Sequence, residues 1–151
     1  MAKTTFRRAT ARDAQQIASV AARISLDGGR ASGLPMGLTA AEVVGRMRSY
    51  RGRGAWFVCR IERQTAGFAA LEPVPDEKKT AALGVWVLPS FRRQGVGTQL
   101  ALMALEFARG KGYRKVRGRI PAGNEAALSF FSSIGALVPR VGRDLRYELP
   151  L

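Results

Sequence analysis

The chain has 151 residues, of which 46% are hydrophobic and 24% charged, the balance of one globular domain, residues 1–151, with a core of its own. Lys and Arg number 25 against 11 Asp and Glu, and the resulting +14 charge attracts polyanions. There is no histidine and one cysteine, which excludes histidine-based serine or cysteine triads, leaves zinc without a ligand set and rules out an internal disulfide.

No apolar run reaches the roughly 18 residues that a membrane span needs, so no membrane partner is expected. Met1-Ala2-Lys3-Thr4-Thr5 leads into no apolar signal core. A lone cysteine, Cys59, fits a reducing setting, and a cytoplasmic location is the simplest expectation.

In chain order, Phe6-Arg7-Arg8-Ala9 reads as a short strand. Thr10 to Asp13 has the form of a capping box with Asp in the acidic place, opening a helix from about Ala11 to Ile24. Ile17, Val20, Ala21 and Ile24 form its apolar face. The segment Leu26 to Leu38 is glycine-rich and reads as a loop. Thr39-Ala40-Ala41-Glu42 is a capping box for a second helix, about Ala40 to Tyr50.

Ala55 to Ile61 is aromatic and β-branched, a buried strand. Glu62 to Thr65 turns it into a second strand, Ala66 to Leu71. Glu72 to Lys78 reads as a loop, and Thr80 to Val87 as the next strand, ending before Pro89. Leu100, Met103, Ala104, Phe107 and Ala108 have the spacing of one helix face, and Gly110 stops that helix. Lys115 to Ile120 is a strand. Asn124 caps a fourth helix, Glu125 to Ile134. Ala136 to Val138 and Leu145 to Leu149 are final strands around a loop from Pro139 to Asp144. The order β-α-α-β-β-β-α-β-α-β-β mixes hairpins with helix crossovers, so the sheet is expected to be mixed and the class α/β, with α+β character.

The junction between the strand at Val85–Val87 and the third helix holds the chemistry. It reads Arg92-Arg93-Gln94-Gly95-Val96-Gly97-Thr98. Glycines let a ligand come close to backbone, and a helix N-terminus offers unpaired N–H groups to an anion. An ordinary βα turn predicts the same composition, and from the loop alone it is the better reading. Walker A chemistry is excluded because no Gly-Lys-Ser/Thr follows. The dinucleotide fingerprint fails because Leu100 holds the third-glycine place.

The longer block Val85-x-Val87-x-Pro89-x-x-Arg92-x-x-Gly95-x-Gly97 resembles the acyl-CoA signature of the GCN5-related N-acetyltransferases. Asn124-x-x-Ala127-x-x-x-Phe131-x-x-x-Gly135 is similar to a later segment of the same family, and the element order matches its fold over nearly the whole chain. The resemblance implies the acyl-CoA N-acyltransferase fold and transfer of an acetyl group from acetyl-CoA to a primary amine, with no metal. Acetyl-CoA would lie where the strand ending at Val87 splays from Lys115–Ile120. Its pantetheine would pair with the backbone of Trp86 and Val87, its pyrophosphate would sit over Gln94, Gly95, Val96, Gly97 and Thr98 beside Arg92 and Arg93, and Asn124 would reach the arm. The Gly28-to-Leu38 loop would close the acceptor site.

Two departures bear on catalysis. The family's proton-donating tyrosine is Phe131 here, and no Asp or Glu occurs from Thr80 to Leu88. Glu72 is then the candidate base, with Glu148 behind it and a water relay equally sound. Tyr147 is a second candidate acid, although packing is the ordinary role of such a tyrosine. The acceptor, a small molecule or a protein amine, is not identified. Two further readings stand beside the enzyme: a CoA-binding module that has lost turnover, and a basic domain that contacts nucleic acid or the ribosome. Family members are often dimers, which leaves a homodimer open.

Overall fold

A computed structural model describes residues 3–28, 38–120, 131–133, 140–141 and 144–151. The strands are β1 (Thr4–Arg8), β2 (Ala55–Ile61), β3 (Gln64–Val74), β4 (Glu77–Val87), β5 (Lys115–Ile120), β6 (Arg140–Val141) and β7 (Asp144–Pro150). They form one seven-stranded sheet in the order β1-β2-β3-β4-β5-β7-β6. Every pairing is antiparallel except β4 with β5, which is parallel. The helices are α1 (Ala14–Gly28), α2 (Ala40–Ser49) and α3 (Val96–Gly110).

Several boundaries differ from the sequence reading. Ala11–Asp13 is a short 3-10 turn, and α1 begins after it. β3 continues through Glu72 to Val74 and β4 begins at Glu77, so the expected loop from Glu72 to Lys78 is a tight hairpin turn. Cross-strand pairing of Glu72 with Ala82 and Pro73 with Ala81 holds the extension together despite the proline and the charges. β6 falls inside the expected Pro139-to-Asp144 loop. Residues 131–133 are helical, as expected; the rest of the fourth helix, the 136–138 strand, Asn124 and residues 29–37 lie outside the described residues.

Each face of the sheet has its own core. On one face α1 and α2 cover Trp56, Val58, Phe68 and Ala70 with Ile17, Val20, Ile24 and Val43. Burying one such aliphatic side chain contributes about 1.5–3 kcal/mol. On the other face α3 sets Leu100, Ala104, Leu105 and Ala108 against Phe57, Ala69, Leu71, Ala81 and Leu83. Alanines on both surfaces let this helix lie close to β2, β3 and β4, which fixes where its N-terminus meets the end of β4.

The entry to α1 carries a pH-sensitive contact. Thr10 and Asp13 form the expected capping box. Asp13 also accepts two bonds from the Arg7 guanidinium, at 2.7 and 2.8 Å. The Arg7 hydrogen bonds outweigh burial and hold the Asp13 carboxyl below its ordinary value. A lowered folded pKa stabilises the protein above the unfolded value of about 3.9 and loses that contribution as pH falls through the folded value. Arg7 is half exposed, so solvent screens the pair. Asp13→Asn is expected to cost about 1–2 kcal/mol at pH 7, and urea titrations should show the gap to wild type closing below about pH 4.

Candidate active site

The parallel pairing of β4 and β5 is short. Thr80, Ala81 and Ala82 match Lys115, Val116 and Arg117, and then the strands part. β4 runs on to Val87 with β3 as partner, and β5 runs on to Ile120 with β7. A split therefore opens in the middle of the sheet, with Ala82 and Arg117 at its apex.

The register decides which backbone groups face the split. Leu88 N–H donates to the Ala66 carbonyl at 2.9 Å. Hydrogen-bonded pairs alternate along an antiparallel ladder, so Trp86 exchanges bonds with Phe68 and Gly84 with Ala70. The N–H and C=O groups of Leu83, Val85 and Val87 then point the other way, into the split. Val87 thus presents its backbone to the split, whereas the Trp86 backbone faces β3 and the other edge positions are Val85 and Leu83. Two of the three edge carbonyls have partners already. The Tyr147 hydroxyl donates to Leu83, and Arg92 Nε donates to Val87 at 3.1 Å. Among the described residues, no bond to the Val85 N–H or C=O crosses the split.

The split leads to the start of α3. Pro89–Phe91 is a single 3-10 turn, and the chain then passes through Arg93 (φ 64°) and Gly95 (φ 80°), both in the left-handed region. Gly95 is the N-cap of α3 and, as a glycine, makes no side-chain cap bond. The first intrahelical bond is Gln99 N–H to the Gly95 carbonyl, at 3.0 Å. The N–H groups of Val96, Gly97 and Thr98 are thus left at the positive end of the helix dipole. A Cβ on Gly95 would meet nothing within 4 Å, so the space above it is open. Gln94 reaches back toward the Ser90 carbonyl at 3.5 Å, and the Arg92 bond ties the loop to the end of β4. The sequence-predicted residues Arg92 to Thr98 are brought together with Val87; Asn124 lies outside the described residues.

Glu72 lies one strand from the apex, opposite Ala82, which itself pairs with Arg117. It is on the α1/α2 face. Its carboxylate accepts a 2.5 Å bond from the Tyr50 hydroxyl and sits 3.5 Å from Arg46. Trp56 Nε1 donates to the same Tyr50 oxygen at 2.8 Å. Burial, then the bond to Glu72, raises the Tyr50 phenol well above its ordinary value. Beside this network Trp56, Phe68 and Trp86 stack in a row, with ring centroids 5.7 and 5.1 Å apart. The Trp86 ring folds back over Gly84, where a Cβ would overlap it.

On the α3 face, Tyr147 closes the apex. It pairs with Gly118, and its ring passes over that glycine to reach Leu83. A Cβ at Gly118 would overlap the ring. Phe131 stacks on it at 3.9 Å, nearly parallel. Sequence reasoning missed Val85, Tyr50, Arg46 and the Gly118–Tyr147 crossing. A glycine inside a strand signals close approach by another group, so Gly118 was the available clue.

Among the described residues no group of acids or cysteine suits a metal, and no helix is long and apolar enough to cross a membrane. The fold is that of known acetyltransferase structures. A GNAT-family acetyltransferase from Streptococcus pneumoniae superposes with a TM-score of 0.87 at 16% identity, over 99% of both chains. A putative acetyltransferase from Salmonella typhimurium, solved with its cofactor acetyl-CoA, gives 0.83 at 20% identity over 98% of this chain and 94% of that one. In sequence, the chain is 28% identical over 90 residues to an uncharacterized N-acetyltransferase of Methanocaldococcus jannaschii, a match covering 56% of this chain and 40% of that protein. The model of the acetyltransferase (GNAT) family matches residues 37–136. With well over half of its length in that match and its strands splayed ahead of a helix with glycine at its N-cap, this chain belongs to the acetyltransferase (GNAT) family.

Proposed function

We propose that the protein transfers an acetyl group from acetyl-CoA directly to a primary amine. One observation carries the reading: among the described residues β4 has no strand partner on its β5 side beyond Ala82, and that edge runs straight into the N-terminus of α3, whose N-cap is Gly95. An edge with free N–H and C=O groups takes an extended amide chain as an added strand. Val85 and Val87 suit the pantetheine amides. The N–H groups of Val96, Gly97 and Thr98 suit a pyrophosphate, with the positive charges of Arg92 and Arg93 nearby. From Val87 back to Leu83 is about 13 Å of strand, four residues at about 3.3 Å each. That places the thioester end near the apex. The amine then attacks the thioester carbonyl, and the C–S bond breaks.

Glu72 is the group we assign to take the ammonium proton, directly or through water. It stands beside the apex on the face opposite Tyr147, with only Ala82 between. Tyr50 and Arg46 fix its position. Glu72→Gln is expected to lower turnover about 100-fold, the usual scale of a lost general base, and to leave the acetyl-CoA Kd unchanged. Undiminished turnover in that variant removes Glu72 from the mechanism.

Calorimetric titration with acetyl-CoA tests the whole proposal, at about 0.15 M salt, where charges beyond about 8 Å are screened. ATP and a short RNA serve as polyanion controls. Saturable binding well above both controls is expected. Heats that follow ligand charge alone would assign the arginines to polyanion contact instead. Phe131 favours one second reading, a binding module without turnover, because a buried phenyl ring donates no proton. Efficient acetylation of any amine in a panel decides against it.

A further inference from the structure

We propose that Tyr147 and Phe131 form a stop at the apex of the split that fits the thioester to an acetyl group and disfavours longer acyl chains. The inference rests on the reading above, in which the thioester end arrives at the apex. β4 and β5 part after Ala82 and Arg117, and Leu83 is the first edge residue beyond that point. There the ligand's path ends in an aromatic pair. Tyr147 is 1% exposed and Phe131 5%, and their rings stack at 3.9 Å. The hydroxyl of Tyr147 is bonded to the Leu83 carbonyl, which pins the ring across the gap. Gly118 lets the ring cross β5, because a Cβ there would overlap it.

On that reading the acyl group points at this pair, and a methyl is the smallest group that can face it. Each further methylene has to displace a stacked, hydrogen-bonded ring in a close-packed site. One methylene in a tight pocket alters selectivity about 10–200-fold. The stop is built from ring volume and not from the acidity of the hydroxyl. Burial raises the Tyr147 phenol above the ordinary tyrosine value of about 10, while a departing thiol has a pKa near 8.5. A proton would move uphill from tyrosine to thiolate, so the hydroxyl stays on Leu83.

The test measures Kd by calorimetry for CoA, acetyl-CoA, propionyl-CoA, butyryl-CoA and hexanoyl-CoA, using the full chain. In the wild type, hexanoyl-CoA is expected to bind at least about 100-fold more weakly than acetyl-CoA. Tyr147→Phe keeps the ring and should keep that ratio. Tyr147→Ala should reduce it at least about tenfold by admitting the longer chain. Phe131→Ala opens the same space from the other ring and serves if Tyr147→Ala fails to fold. Equal affinity for acetyl- and hexanoyl-CoA in the wild type overturns the stop, and so does a wild-type ratio in a folded alanine variant. Failure to bind CoA and acetyl-CoA at all overturns instead the reading on which the stop depends.

Discussion

Gly95→Val is expected to weaken acetyl-CoA binding at least about 100-fold, or about 2.7 kcal/mol, in a chain that still folds. Gly95 has φ +80° and open space where its Cβ would be. An L side chain at such a position costs about 1–2 kcal/mol of strain whatever the space. The isopropyl group would stand over the N–H groups of Val96 to Thr98, where a phosphate must make contact. Strain and obstruction are separable because the chain contains a control. Gly52 has φ +83° and equally open surroundings, but lies in the turn after α2. Gly52→Val should show the same loss of thermal stability with unchanged affinity. If the two variants bind acetyl-CoA alike, the glycine loop is only a turn and the helix end holds no phosphate.

The second large effect is structural. Phe68→Ala is expected to destabilise the fold by about 3–5 kcal/mol, the scale for removing a buried phenyl ring. Phe68 is fully buried between Trp56 and Trp86, and both stacked contacts disappear with it. At about 2–4 °C per kcal/mol for a chain of this size, Tm should fall by roughly 6–20 °C. Phe68→Leu keeps most of the volume and should cost about 1.5 kcal/mol or less. Near-UV circular dichroism would follow the loss, since both flanking rings are indoles. A small shift in the alanine variant would mean that the cavity collapses and the aromatic row is not what holds α1 to the sheet.

Much of this fold was legible before any coordinates. The alternation at Ala55–Ile61, the spacing from Leu100 to Ala108 and the cap at Thr10 are local signals, and each element lies where they point. The family motif located the β4-to-α3 junction for the same reason. What remained hidden is non-local. Whether Trp86 or Val85 offers its backbone to the split depends on the phase of the ladder with β3, which one bond at Leu88 fixes and no periodicity reveals. Glu72 read as a loop acid because Pro73 and Pro75 follow it nearby, yet pairing with Ala82 extends the strand through it. The Tyr50–Glu72 bond joins residues 22 apart in sequence, and the Tyr147–Leu83 bond joins residues 64 apart.

The parting of β4 from β5 also bears on solubility. A sheet ordinarily has two edges, and proteins shield both, because a bare row of N–H and C=O groups templates pairing with other chains. Here, among the described residues, the parting creates two more edges in the sheet interior, along β4 beyond Ala82 and along β5 beyond Arg117. They face each other across a slit, and Tyr147 closes its narrow end. Another protein's sheet edge would have to bring its own neighbours in with it, whereas a single extended chain would not. The fold thus keeps unpaired backbone available in the middle of a seven-stranded sheet without offering a template for aggregation.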